Sequence, residues 1–355
     1  MNIVEILQAA IQFGASDIHL VVGLPPMIRN VGEMVELGGF PALSAEECKA
    51  LIYSCLYDSQ RAEFERNLEL DCSLNVKNLA RFRVNVLVQN NGVEAVLRVI
   101  PSQLPTAEFL GIGPSIQDLS KLSDGLVLVT GPTGSGKSTT LAVLIDQINR
   151  RERRHIITVE DPIEFVHTHN RSVIRQRGVG PHTKSFAEAL RHALRQDPDV
   201  IMVGEMRDLE TISLALTAAE TGHLCFGTLH TGDSAQTVSR IIDVYPAEQQ
   251  QQVRVQLANS LRAVVSQVLL TRNDGQGRIA ARELMIVTPA ISNLIREGKT
   301  HMIPNAIETG GKHHMFTLDQ SLAELVRTGR VPVQEALGLA VNPERVAPGM
   351  VRQSH

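Results

Sequence analysis

Apolar and polar positions follow two rhythms along this chain, and the change between them comes near residue 101. In "NIVEILQAAIQFG", Ile3, Ile6, Leu7, Ala10 and Ile11 fall on one helical face, and Gly14 ends the segment. "DIHLVVG" and "MIRNVGEMVEL" read as strands joined through Pro25-Pro26. "SAEECKALIYSCL" opens with Ser44 and has Glu47 three residues on, the capping box of a helix start. "RFRVNVLVQNNGVEAVLRVI" alternates around Asn90-Asn91-Gly92 and predicts a hairpin. Residues 1–100 therefore read as a small α+β domain, and the proline- and glycine-broken run at 101–114 as a linker.

Beyond the linker the pattern becomes strand–helix–strand. "GLVLVTG", "HIITVED", "PDVIMVGE" and "HLCFGTLH" are short apolar runs, each separated from the next by a helical period such as "SFAEALRHALRQ" or "LETISLALTAAETG". That alternation predicts an α/β domain with a parallel, doubly wound sheet over 115–340. The last third reads as helical. "PAEQQQQVRVQLANSLRAVVSQVLL" carries Val253, Leu257, Leu261, Val264 and Val268 at helical spacing. "TPAISNLIREG" has Thr288 as N-cap, Pro289 after it and Gly298 as terminator. The tail at 341–355 has no periodicity and reads as flexible.

Composition narrows the function. With 355 residues, 34 Lys+Arg against 38 Asp+Glu and a net charge of −4, the chain is a two-domain protein without the basic excess of a nucleic-acid binder. Aromatics make up 3% and tryptophan is absent, so base-stacking platforms are scarce and no nucleic-acid partner is expected. Cys48, Cys55, Cys72 and Cys225 form no CxxC pair and read as free thiols of a cytosolic protein. No apolar run approaches the ~20 residues of a membrane span, so no integral membrane segment is expected.

The chemistry begins with "GPTGSGKST": Gly131, Pro132, Thr133, Gly134, Ser135, Gly136, Lys137, Ser138 and Thr139. It fits G-x-x-x-x-G-K-[ST] and lies between a strand and a helix. Glycines let the backbone N–H groups curl around phosphates at a helix N-terminus, Lys137 reaches the β/γ-phosphates, and the Ser138 hydroxyl is placed for Mg²⁺. A nucleoside triphosphate with Mg²⁺ is the expected ligand pair, and the family resemblance below makes it ATP. The strand "PDVIMVGE" ends in Glu205, a carboxylate placed to hold that metal through water. "TVEDPIEFVH" puts Glu160, Asp161 and Glu164 at a strand-to-loop corner, where an acid could orient or deprotonate a water, or simply face solvent. "TGHLCFGTLHT" brackets a strand with His223 and His230. His230 would reach the phosphate edge as a γ-phosphate sensor, or serve as an ordinary edge histidine.

Together with "ASDIHL", "DPDVIMVGEMRD", "AISNLIREGK" and "MFTLDQSLAELV", these motifs stand in an order that resembles the secretion ATPase superfamily, and within it the retraction ATPases of type IV pili. The resemblance covers nearly everything but the tail. It implies a PAS-like N-terminal domain followed by a RecA-like P-loop ATPase domain, and a homo-hexamer with nucleotide between the domains. It further implies a cytoplasmic motor, peripheral at the inner-membrane pilus base, that acts on a platform protein there, alone or with a paralogous retraction ATPase. On that resemblance Glu164 is the general base, Glu205 the acid near the metal and His230 the γ-phosphate sensor. His223 braces the strand or an interface, and Arg81, Arg83 and Arg98 are candidates to meet the γ-phosphate. Retraction members typically read Ala-Ile-Arg-Asn-Leu-Ile-Arg-Glu where this chain has Ala290-Ile291-Ser292-Asn293-Leu294-Ile295-Arg296-Glu297, so Ser292 removes a cation. Pilus-assembly and type II secretion ATPases, which usually carry extra N-terminal domains and a tetracysteine zinc site, are the alternative. A RecA-like nucleic-acid motor is a more distant one.

Overall fold

Helix α1 (Ile3–Gln12) shows why the N-terminal pattern folds as it reads: Asn2 accepts from the Val4 N–H at 3.0 Å, and Glu5 reaches back to the Asn2 N–H at 3.3 Å. Its buried stripe is Ile3, Ile6, Leu7 and Ala10. The computed structural model describes residues 1–30, 32–77, 79–100, 104–275 and 277–348. They divide into two units, Met1–Gln103 and Leu104–His355.

In the first unit α1 is followed by β1 (Asp17–Leu20), β2 (Met27–Asn30), β3 (Glu33–Glu36), α2 (Ala45–Ser54), α3 (Asp58–Asn67), β4 (Glu69–Val76), β5 (Ala80–Gln89) and β6 (Gly92–Ile100). The strands form one antiparallel sheet in the order β3-β2-β1-β6-β5-β4. Alternation decides its faces: Phe82, Val84 and Val86 of β5 are buried in the core with Leu97 of β6, while Arg83 and Arg98 between them point away. The stretch expected as one strand, "MIRNVGEMVEL", is instead the β2–β3 hairpin, because Gly32 at φ +90° turns the chain. Helix α3 escaped the pattern because it buries only Phe64.

The second unit runs α4 (Pro114–Gln117), β7 (Gly125–Thr130), α5 (Lys137–Arg151), β8 (His155–Glu160), β9 (Val173–Gly178), α6 (Phe186–Ala193), β10 (Val200–Val203), α7 (Leu209–Glu220), β11 (Leu224–Leu229), α8 (Ser234–Asp243) and α9 (Ala247–Ser260). It continues through β12 (Leu261–Thr271), β13 (Arg278–Ile286), α10 (Pro289–Arg296), α11 (Ile303–Glu308), α12 (Leu318–Arg327), α13 (Val333–Leu339) and α14 (Pro343–Val346). The sheet order is β13-β12-β7-β11-β10-β8-β9, parallel except where β13 runs against β12. Every residue of β7, β10 and β11 is buried, as strands covered on both faces by helices must be.

Three expectations change. The helix read through 246–270 stops at Ser260, and from Leu261 the chain is β12. The apolar run there is buried on both faces, so helical spacing could be drawn through it by coincidence. Its β-branched Val264 and Val265 pair with β7 on one side and β13 on the other, and Val268 pairs with β13. Of the expected linker, 101–103 lie outside the described residues, and the rest is packed rather than free: Ala107 and Ile112 are buried against α5 and the sheet. Of the tail, 349–355 lie outside the described residues, whereas α14 packs on α12 with Val346 buried beside Leu322 and Leu325. Asp319 fastens its approach by accepting from the Val341 and Asn342 N–H groups at 2.9 and 2.8 Å.

Candidate functional site

The sheet order brings the loop after β7 next to the ends of β11 and β10, with β8 one strand further out. In a doubly wound sheet this carboxyl edge is where ligands sit. The loop itself is shaped by close approach. Gly131 has φ +141°, and a Cβ there would lie 2.2 Å from the Gln267 carbonyl oxygen. Gly134 and Gly136 are left-handed at φ +78° and +84°, with Gly136 as the N-cap of α5. Lys137 is 9% exposed, and its ammonium donates to the Gly131 and Pro132 carbonyls at 2.9 and 3.0 Å. Burial pulls the ammonium below its usual pKa, while the carboxylates of Glu205 and Glu164 act to raise it. Both acids therefore lie within electrostatic reach of the lysine.

Glu205 follows β10 after one intervening residue, Gly204. It accepts from Arg207 Nε and lies 2.7 Å from His230 Nε2. The other ring nitrogen of His230 is 3.4 Å from the Thr133 hydroxyl on the P-loop. A neutral imidazole with its proton on Nε2 satisfies both contacts, donating to Glu205 and accepting from Thr133. His230 thus bridges the phosphate loop and the acid after β10. His223, at the other end of β11, has Nδ1 3.0 Å from the Ala218 carbonyl and 3.1 Å from the Thr221 hydroxyl, where it closes the last turn of α7. One histidine contacts the P-loop and the acid after β10, and the other closes a helix.

The acids of "TVEDPIEFVH" separate by burial. Glu160 is buried and accepts from Thr158 Oγ1 at 2.6 Å, from Gln176 Nε2 at 3.1 Å and from the Glu164 N–H. Burial pushes its carboxyl above the usual range against those hydrogen bonds. Glu160 holds the corner, and Glu164 is left exposed on it. The corner includes a cis bond between Asp161 and Pro162.

Two supports were not legible in the sequence. Gln267 on β12 is 1% exposed; its Nε2 donates to the Ser135 carbonyl at 2.6 Å and its Oε1 accepts from Thr140 Oγ1 at 2.9 Å. Arg282, its direct partner on β13, donates Nη1 to Gly111 O at 3.0 Å and Nη2 to Leu110 O at 3.1 Å. Burial lowers that guanidinium to about 10. The only sequence signal for Gln267 is a polar residue within the apolar run "VVSQVLL". A cavity of about 190 Å³ lies between Ser135, Gly136 and Thr139 on one side and Phe109, Leu269 and Arg282 on the other.

The fit to a nucleotide is good on this geometry. The loop presents α5's first N–H groups, the Lys137 ammonium, the Ser138 hydroxyl and a buried Ser135 hydroxyl without a hydrogen-bond partner. The cavity continues beyond them. Ser138 and Glu205 supply oxygen donors of the kind Mg²⁺ takes.

The candidate arginines lie in the first unit. Arg83 and Arg98 are directly opposite on β5 and β6. Arg98 Nε is 2.8 Å from Asp17 Oδ1, and Arg83 Nε is 4.0 Å from Asp71 Oδ1, so each like-charged neighbour has a carboxylate beside it. Arg81 sits two positions before Arg83 on β5, opposite Ile100. Ser292 is 8% exposed, and its hydroxyl donates to the Ala258 carbonyl of α9 at 2.8 Å. It faces a neighbouring helix, so the position holds no solvent-exposed cation.

The profile of the type II/IV secretion system protein family matches residues 1–338. The chain belongs to that family. Among its secretion-family relatives, a type IV pilus retraction ATPase of Pseudomonas aeruginosa, PilT, is 53% identical over 344 residues, which is 97% of this chain and 99% of the relative. A twitching motility protein of Neisseria gonorrhoeae is 51% identical over 322 residues, covering 91% of this chain and 86% of that protein. Among solved structures, the pilus retraction motor PilT with bound ADP superposes with a TM-score of 0.91 at 46% identity, covering 97% of this chain and 98% of that one. Family membership and that superposition establish the two-part architecture of an N-terminal domain and a RecA-like ATPase domain.

Proposed function

We propose that this chain is the ATP-driven motor of type IV pilus retraction. The observation that carries the reading is 53% identity to a retraction ATPase along essentially the full length of both proteins. The chain is an ATP hydrolase, and the site offers residues for each part of the reaction. The P-loop N–H groups and Lys137 hold the β- and γ-phosphates. Glu164 accepts a proton from water as the water oxygen bonds to the γ-phosphorus. The bond to the β–γ bridging oxygen breaks, leaving ADP and inorganic phosphate. Glu205 and Ser138 would hold Mg²⁺, which would neutralise charge on the phosphates. His230, hydrogen-bonded at once to Glu205 and to the P-loop threonine, is placed to register whether a γ-phosphate is present.

The assembly that uses this chemistry is a homo-hexamer on the cytoplasmic face of the inner membrane. It acts on the platform protein at the pilus base, alone or with a paralogous ATPase. The fully aligned length favours retraction over the assembly and secretion ATPases. The test is deletion of the gene with surface pili counted and twitching scored. Abundant pili without twitching are expected; few or no pili would make the chain an assembly motor, and normal pili with normal twitching would remove it from the pilus.

A further inference from the structure

We propose that Arg282 is a positioning residue that clamps the strap 104–113 against the nucleotide cleft, so that Phe109 forms one wall of the base subsite and Arg282 sets nucleotide affinity rather than the chemical step. This rests on the reading that the P-loop takes ATP. Gln267 and Arg282 stand directly opposite each other on β12 and β13, so their side chains leave the same face of the hairpin. Each secures one side of the cleft. Gln267 holds the P-loop at Ser135 and the start of α5 at Thr140. Arg282 holds the strap through the carbonyls of Leu110 and Gly111, and its own N–H donates to Ser321 Oγ at 3.1 Å, which ties the pair to α12.

The cavity between these two sides takes its lining from both. Ser135, Gly136 and Thr139 come from the phosphate loop and helix, Phe109 and Leu110 from the strap, and Arg282 stands between. Phosphates bound on the P-loop N–H groups leave the rest of a nucleotide to run past Gly136 and Thr139 into this space. Phe109 is the aromatic side chain there and is 71% exposed, although it lines a cavity. A planar base stacked on that ring would cover it. Arg282 is 4% exposed, forms no ion pair among the described residues, and has a buried Nε without a hydrogen-bond partner. A buried guanidinium facing only neutral carbonyls leaves positive potential on the cavity wall, which favours an anionic ligand.

The test uses the full-length protein, with Arg282→Met to remove the donors at similar length, Arg282→Lys, and Phe109→Ala. Steady-state ATP turnover is measured with ADP affinity, melting temperature and hydrogen exchange across 104–113. Arg282→Met is expected to raise KM for ATP and Kd for ADP by about ten-fold while kcat stays within about two-fold, because pre-organisation is lost and not the reacting groups. Arg282→Lys restores part of the affinity, and Phe109→Ala weakens binding in the same direction. In Arg282→Met carrying Phe109→Ala, the loss is no larger than the larger of the two single losses, because both act through one wall. ADP slows exchange of the strap in the wild type and not in Arg282→Met. An unchanged KM with a lower melting temperature would overturn the proposal, as would a fall in kcat at constant KM. If Arg282→Met does not fold, an unchanged KM in Phe109→Ala overturns it alone. Failure of the ATP reading itself looks different: wild-type protein that neither binds nor hydrolyses ATP, or full turnover in Lys137→Ala.

Discussion

At the scale of single residues, burial sorts groups that the sequence leaves equal. Glu160 and Glu164 stand four positions apart on one corner, yet one is buried in hydrogen bonds and the other is exposed beside Lys137's electrostatic field. Glu164→Gln is expected to bind ATP normally while turnover falls by roughly 10²–10⁴-fold, the contribution of a positioned general base. Binding measured by fluorescent nucleotide alongside phosphate release checks it, and lost binding would make Glu164 structural. Gln267 is expected to behave differently. Gln267→Leu leaves the Ser135 carbonyl and the Thr140 hydroxyl without their buried partner, a cost of about 1–3 kcal/mol for each group left unsatisfied. Thermal melting should show this as a lower midpoint, and an unshifted midpoint would mean that water replaces the amide.

Among the elements, the decisive one is the hairpin β12–β13, whose first strand the apolar pattern hides inside a helix. By pairing with β7 it carries Gln267 against the back of the P-loop. Its backbone also sets the shape of the loop, since the Gln267 carbonyl occupies the space a side chain at Gly131 would need. Gly131→Ala therefore forces β7 and β12 apart at the loop or distorts the loop itself. We expect strain on the order of 1–3 kcal/mol and a clear loss of nucleotide affinity, read by melting and by ADP titration. Normal affinity in that variant would show that the loop and β12 move independently. Ser292 belongs to the same scale: its hydroxyl joins α10 to α9, so the substitution relative to the retraction pattern is absorbed in helix packing.

For the whole molecule, the two units carry separate cores, and the chemistry described above lies in the second. The paired arginines on β5 and β6 belong to the first. Light scattering with nucleotide should give the mass of six chains of 38.8 kDa each. A monomer at every concentration and nucleotide state would count against a ring motor.

The sequence alone determined what short-range chemistry determines. "GPTGSGKST" between an apolar strand and a helix has one physical use, because few other spacings let glycines turn backbone N–H groups toward phosphates. The capped helices α1 and α2, the β5–β6 hairpin and the alternation of buried strands with helices were legible for the same reason: each is set by neighbours within a few residues. Tertiary structure decided everything that depends on strands far apart in sequence. A fully buried apolar run has no polar face to mark its period, so β12 became a strand only because β7 and β13 satisfy its backbone on either side. The contact of His230 with Glu205 follows from β11 lying beside β10, and the Gln267–Arg282 pair from the register of a hairpin. The strap at 104–113 looks like a linker in composition, and only the burial of Ala107 and Ile112 makes it part of the second unit's core.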